Sequence, residues 1–560
     1  MLGRFASSLA LVVLTASLSW PNSLEQDIDP DVHPEGMEHL HQEPEWNQFR
    51  AQQRAILQMM EAPAGPPEDY QGNPVDWFLQ QWYQEKDAEV PEPAKAHVWV
   101  RRAYLDATGL LPPFDEVRGF AADASPDKYE KLVEALLGDR QAYAEHWITF
   151  WSDLLRNDEQ TNIDNLRGSI TQWLYDSLLA NKPYDRFVVE LLNPDPKGGP
   201  GGFLKGINWR GRINASQRPV IQTAQVVGQV FMGTMMKCSS CHDNFTKTWS
   251  LRDTYGLAAC FSIEPGLELF RCDKPLGEVQ TARFPFEGLG EIDPEANLYE
   301  RRLQAAKMVV SPRNPRFART IVNRLFDRLM GRGLFEPIDD LDYEPIYGGL
   351  LDWLAYDFMK HDFDLKHTIT RIMTSQAYQR KSLRIRTEFT LEPTYAAPRV
   401  RRMPSEAFLD GIAQVSGHWQ KGRLNSAQVS SDQPRAWRKK KPARYEVALG
   451  RPNREQVVSQ REDEASVLQM LELVNGDGFS AFLEEASSSL AQRFPHGQED
   501  YSRLIERVYH RGLSRSPAPE EYEALRPLFA QSSASAEAHH EAVEDLLWIV
   551  CMKPEFQFIH

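Results

Sequence analysis

The chain has 560 residues, 42% apolar and 25% charged, with a formal charge of −16. That is length for two to four domains of roughly 100–200 residues each, in the range of ordinary globular proteins with real cores. The acidic balance argues against general nucleic-acid binding, which needs a basic footprint, and no run approaches the roughly 18 apolar residues of a membrane span.

The N-terminus has the layout of a secretory signal peptide over residues 1–19. Arg4 supplies the positive charge, Ala6 to Leu18 the apolar stretch, and Ser17 and Ser19 the small residues of a cleavage site before Trp20. A periplasmic or secreted location follows as the expectation. Residues 20–73 form an acidic leader arm, partly disordered. Eleven acidic residues face two basic ones between Leu24 and Tyr70, with prolines throughout and one short helix around Trp46 to Met60. His33, His39 and His41 lie in this arm; weak metal binding there is less expected than plain solvation.

From Val75 the texture is helical. Ser125-Pro126 opens a helix whose Tyr129, Leu132, Val133 and Leu136 recur at helical spacing, and Gly138 closes it. Ala144 to Leu155 and Ile221 to Met232 give two more helices. Residues 193–216 are a long loop. The stretch 264–299 is irregular, with scattered Pro and Gly, and is taken as the linker between a first domain (74–263) and a second (300–560). Phe317 to Met330, Leu350 to Lys360, and Leu365, Ile369, Ile372 and Met373 mark helices in the second domain. The fold class is therefore all-α and multi-domain, with long irregular loops and few strands. The acids Asp339, Asp340 and Asp342 lack the Gly and Glu of a calcium loop and suit a polar turn.

Residues 419–450 are polar. Arg435, Arg438, Lys439, Lys440 and Lys441 cluster there around Trp437. A solvated loop is the plain expectation; the sharper one is a docking patch for an acidic partner or an anionic glycan.

The motif that carries chemistry is Cys238-Ser239-Ser240-Cys241-His242. Two thiols three residues apart on one turn can both reach the vinyl groups of a haem, and the adjacent His242 then lies under the iron. One covalent haem c is the expected cofactor. A thioredoxin-like dithiol would need a preceding strand, whereas the run before Cys238 is helical. A zinc site would recruit Cys260 and Cys272, with 18 residues between Cys241 and Cys260 and 11 between Cys260 and Cys272. In an oxidising compartment Cys260 and Cys272 can instead pair as a disulfide, or Cys260 can simply be buried. Cys551 lies in an apolar helix as inert core. For the second axial ligand the expectation is His146, on a helix whose Trp147, Phe150 and Trp151 could wall a macrocycle, with Arg156 within reach of a propionate; Met235 and Met236 are the runners-up, and a core histidine is the plain alternative for His146.

Several motifs resemble the planctomycete cytochrome C-associated proteins of unknown function, which join a planctomycete cytochrome C-type domain of the second kind to a planctomycete-specific domain. The first domain is matched by Val75 to Phe78, Arg101 to Leu110, His146-Trp147 with Asp153 to Arg156, and the Cys238 to His242 motif with Tyr255 to Ala259. The second is matched by Asn314 to Phe317, Val322 to Leu325, Met330 to Leu334, Leu350 to Ala355 and Ser375 to Tyr378. The resemblance implies export, helical architecture and a link to haem, and supplies no reaction. Many relatives carry a further cytochrome domain upstream, where this chain has the acidic arm; Asn244 stands where a second histidine often follows the motif. For Arg101, Arg102, Asp106, Arg156, Asn323 and Arg324, ion pairs and hydrogen bonds that hold helices together are expected.

The sequence thus points to an exported haem c-binding redox or electron-transfer protein, acting with a redox partner protein or in oxidation of a polymer or glycan. The alternative is a non-catalytic binding module of the cell envelope with a zinc-binding or vestigial motif. Whether the chain is an enzyme stays open.

Overall fold

The computed structural model describes residues 43–87, 89–159, 168–196, 198–209, 213–383, 395–419, 422–431, 433–462, 466–496, 501–530 and 535–560. The signal-peptide segment and the arm up to residue 42, with His33, His39 and His41, lie outside the described residues. Among those described the architecture is mainly helical, with four short strands in two two-stranded sheets.

The helices fall where apolar spacing and end signals put them. The helix expected in the arm is α1 (Glu43–Met59), and α2 (Pro74–Lys86) starts on an Asn73 cap whose side chain accepts from Val75 N. The first domain continues with α3 (Ala96–Thr108), α4 (Phe114–Ala122), α5 (Lys128–Gly138), α6 (Arg140–Leu154), α7 (Thr171–Leu179), α8 (Tyr184–Leu192), α9 (Pro219–Met232) and α10 (Leu251–Ala259). α9 carries proline in its first turn and ends on Gly233 at φ 53°, a left-handed stop that glycine adopts without a side-chain clash. The second domain opens with α11 (Leu298–Val309), α12 (Phe317–Met330), α13 (Gly348–Lys360) and α14 (Leu365–Met373). Helices continue from Ser405 to the C-terminus.

The stretch 264–299, expected to be irregular throughout, is irregular only in part: 282–297 carry no helix or strand, but before them an antiparallel hairpin, β1 (Gly266–Arg271) and β2 (Lys274–Thr281), packs on α10. Leu267 and Leu269 turn inward and Glu268 outward, so the period-two signal of a strand is present, but only over a few residues.

The apolar core does not divide at this hairpin either. One cluster runs from Trp46 to Tyr395 and takes in Trp437. The second spans Met403 to Ile559 and takes in Leu105 and Leu111. Helix α3 serves both: Trp99, Val100, Ala103 and Ala107 face the first cluster and Leu105 the second.

The arginines and acids of the family-like motifs tie these cores together. Arg101 donates to the Gly512 and Phe556 carbonyls, and Arg102 to those of Tyr378, Arg380 and His560. Asp106 accepts both Arg401 guanidinium nitrogens, at 3.0 and 2.8 Å, and the Tyr378 hydroxyl at 2.6 Å. Asn323 exchanges two hydrogen bonds with the Phe335 backbone, and Arg324 reaches the Gln229 and Val230 carbonyls and Asp339. Buried charge must be paired in this way, or burial is too costly.

Candidate functional site

The Cys238 motif sits just beyond the α9 stop. Cys238–Ser240 is a single 3-10 turn, closed by Cys241 N–H and His242 N–H donating to the Cys238 carbonyl at 3.2 and 3.4 Å. Its two serines face inward. Ser240 Oγ bonds the Met236 carbonyl at 2.8 Å and receives Gln225 Nε2 at 2.8 Å; Ser239 Oγ meets Thr254 Oγ1 on α10. With the middle of the turn fixed to α9 and α10, the flanking thiols point out: Cys238 is exposed, Cys241 half-buried, and both are free.

His242 follows in a defined setting. Its Nδ1 lies 2.8 Å from the Asp243 carbonyl, and its ring stacks on Phe245 at 4.5 Å. Phe245 is 85% exposed, an apolar surface beside the imidazole. Asn244 is used up locally: its Oδ1 caps Thr246 N at 3.0 Å. The hairpin turn closes over this region. Cys272, at φ 59°, donates its N–H to the Cys241 carbonyl at 3.0 Å and accepts from Ala215 N at 2.8 Å.

These facts settle the other thiols. Cys260 is fully buried, with its thiol 3.4 Å from the Gly256 carbonyl, and burial pushes its pKa up to about 12. Cys272 is exposed on the turn, and neither is in a disulfide. Cys551 is buried and free. Among the described residues, three metal-capable ligand atoms gather only at Asp357, His361 and His367. There the Asp357 carboxylate already faces Arg371 at 3.6 Å, and the two imidazoles stack at 3.7 Å.

His146 is elsewhere. On α6 every residue from Ala142 to Leu154 is buried, including Glu145, His146 and Asp153. Gly109 makes room for the imidazole, since a β-carbon there would fall 2.3 Å from His146 Nδ1. Burial, then Arg328 and Arg435, hold the His146 pKa well below its usual value, so the ring is neutral. Its Nε2 is buried with no hydrogen-bond partner. His146 lines a cavity of about 500 Å³ together with Asp106, Phe150, Asp153, Arg328 and Arg461, and no motif residue lines it. The structure therefore does not bring His146 to His242. Met236 is buried with its sulfur against Gly228, and Arg156 donates to the Phe203 and Lys205 carbonyls.

The cavity's polar wall was not foreseen as a site. Arg461 spans Asp153 at 2.7 Å and Glu406 at 2.6 and 3.0 Å, and Arg454 takes the other Asp153 oxygen at 2.8 Å. Burial alone would raise the Glu406 pKa; Arg461, with Arg451 and Arg454, outweighs it and holds the carboxyl well below the usual range.

The basic cluster is a correction in the other direction. Arg435, Trp437 and Arg438 are buried, so the segment is neither a solvated loop nor an open docking patch. Arg435 pairs with Asp410 at 2.7 Å, Lys439 with Glu446 at 3.0 Å, and Arg438 donates to the Ala427 carbonyl. Lys440 leans on Glu159 at 3.8 Å, and Lys441 is left exposed. Arg435, Lys439 and Lys440 are thus met by acids from residues 145–159 and 410–446, a partnership that linear sequence does not display. In the same way Lys247, Arg316 and Arg324 neutralise the acids at 339–342.

Two family comparisons match. The family described as "Protein of unknown function (DUF1549)", PSCyt2, matches residues 74–264. That described as "Protein of unknown function (DUF1553)", PSD1, matches residues 301–529. No curated protein and no solved structure matches the chain. Among the described residues, no helix is long and apolar enough to cross a membrane.

Proposed function

Because the chain belongs to the planctomycete cytochrome C-associated proteins of unknown function, with both of their domains in order, we propose that it is an exported redox protein carrying one covalent haem c at Cys238 and Cys241. The observation that carries the reading is the pairing of two outward, unpaired thiols on one rigid turn with a histidine whose Nδ1 is already bonded. Such a hydrogen bond fixes the tautomer and leaves Nε2 to the metal. The donor set thus fits the group. When bound, haem supplies one-electron chemistry; the protein's part is to hold it by two thioether bonds and to ligate the iron through His242. Ser239 and Ser240 keep the turn from reorienting, and Phe245 offers an apolar face. Arg4 and the apolar stretch to Leu18 support export, which attachment of this cofactor requires.

The test uses the full chain produced in a host competent for c-haem maturation. A denaturing gel stained for haem peroxidase should show a band at the chain's mass, lost when Cys238→Ala and Cys241→Ala are combined. His242→Ala should keep the covalent band but change the visible spectrum. N-terminal sequencing should begin near Trp20. A colourless protein holding about one zinc per chain would overturn the haem reading in favour of a metal-binding envelope module.

A further inference from the structure

We propose that the cavity between α3, α6, α12 and the 399–462 segment is a binding site for a small hydroxylated anion, with a carboxylate or sulfate-type oxyanion on Arg328 and Arg399 and a hydroxyl on His146. The inference is independent of haem at the motif.

The cavity's volume, about 500 Å³, falls within the roughly 300–1,000 Å³ of small-molecule sites. Its walls come from both family domains: Leu105, Asp106, His146, Phe150 and Asp153 from the first, Arg324 to Glu462 from the second, with Ile559 from beyond it. Junctions of this kind are where ligand sites concentrate.

The charges around it are not all satisfied internally. Arg401 is engaged by Asp106, Arg461 by Asp153 and Glu406, and Arg324 by Asp339. Arg328 and Arg399 also line the cavity, yet among the described residues neither guanidinium has an ion pair or a hydrogen bond. Arg328 lies instead over the rings of Trp147 and Phe150, at 6.0 and 5.9 Å, with Arg461 and Arg401 adding like charge. The acids that attract it, Asp106 and Asp153, are already bonded to other arginines. A cation with rings beneath it and occupied acids around it is set up for an oxyanion.

The third observation is His146. Its residue is 95% buried, and Nε2 has no partner. A neutral imidazole is a donor at one nitrogen and an acceptor at the other, and leaving a buried polar atom unbonded is costly. A hydroxyl of the ligand would satisfy it. The lining acids Asp327, Glu336 and Glu462 define the rest. Glu336 is held by Arg332 at 3.0 Å. Asp327 accepts from Gln460 at 2.9 Å, and burial raises its pKa to about 6. Its remaining acceptor capacity suits ligand hydroxyls, and the mixed wall disfavours a bare polyanion.

The test is calorimetric titration of the full chain with D-glucuronate, with inorganic sulfate and with glucose. Glucuronate should bind saturably, sulfate more weakly, and glucose not measurably. Arg328→Gln and Arg399→Gln should each weaken glucuronate at least about tenfold, the loss of a charged hydrogen bond. Because Arg328 makes no internal bond, Arg328→Gln should leave the melting temperature unchanged or raised. Failure of glucuronate and sulfate to bind at millimolar concentration would overturn the proposal. So would equal binding of glucose, binding indifferent to both substitutions, or a lowered melting temperature in Arg328→Gln, which would make that arginine structural.

Discussion

Replacing Asp106 with alanine is the sharpest perturbation of the way the two domains are joined. Asp106 is 3% exposed and accepts three hydrogen bonds, two from Arg401 and one from the Tyr378 hydroxyl. Asp106→Ala leaves the Arg401 guanidinium without its carboxylate and the Tyr378 hydroxyl without an acceptor. Breaking a buried pair from one side costs about 3–5 kcal/mol, most of it the penalty of the stranded charge. Unfolding entropy near 2.1 cal/mol/K per residue, over the roughly 480 described residues, gives about 1 kcal/mol per kelvin. The melting temperature should therefore fall by about 3–5 °C in scanning calorimetry. Asp106→Asn keeps an acceptor for Tyr378 and should lose less. Tyr378→Phe alone should cost about 1–2 kcal/mol, but in the Asp106→Ala background almost nothing, because the hydroxyl's partner is already gone. A melting temperature within about 1 °C of wild type, or additive losses in the double variant, would refute the account of Asp106 as the hub of the junction.

Three other outcomes follow from the buried charges and thiols. Burial raises the Asp185 pKa to about 6 against the pull of Arg50; stability from this group is full below the unfolded value near 3.8 and is lost as pH rises through 6. Asp185→Asn should thus narrow the difference in melting temperature between pH 5 and pH 7.5, and an unchanged difference would count against it. A maleimide titration of the folded, haem-free chain should modify Cys238, Cys241 and Cys272 and spare the buried Cys260 and Cys551 until denaturant is added; early reaction of either buried thiol would contradict the packing. Arg435→Ala should destabilise by about 3–5 kcal/mol through the stranded Asp410 and Glu145. Lys441→Ala, on the surface, should stay within about 0.5 kcal/mol, and chemical denaturation compares the two.

Sequence by itself determined the local things. Helices such as α12 and α14 were legible because apolar residues recur every three to four positions, and in α12 Gly331 marks the end. The Cys238 to His242 spacing was legible because its chemistry needs only five consecutive residues. Tertiary structure alone decided which charges meet. Arg435 looks like a surface cation until Asp410 and Glu145 arrive beside it from 25 and 290 residues away. His146 looked like a ligand for a haem because its helix is aromatic, and the fold set it instead among Arg328, Arg435 and Gly109. The cavity it lines had no sequence signal at all. Periodicity records which face of an element is buried, since that follows from the geometry of one helix or strand. It carries no record of the partner across the interface, and a buried ion pair or a cavity is a property of two surfaces that only packing brings together.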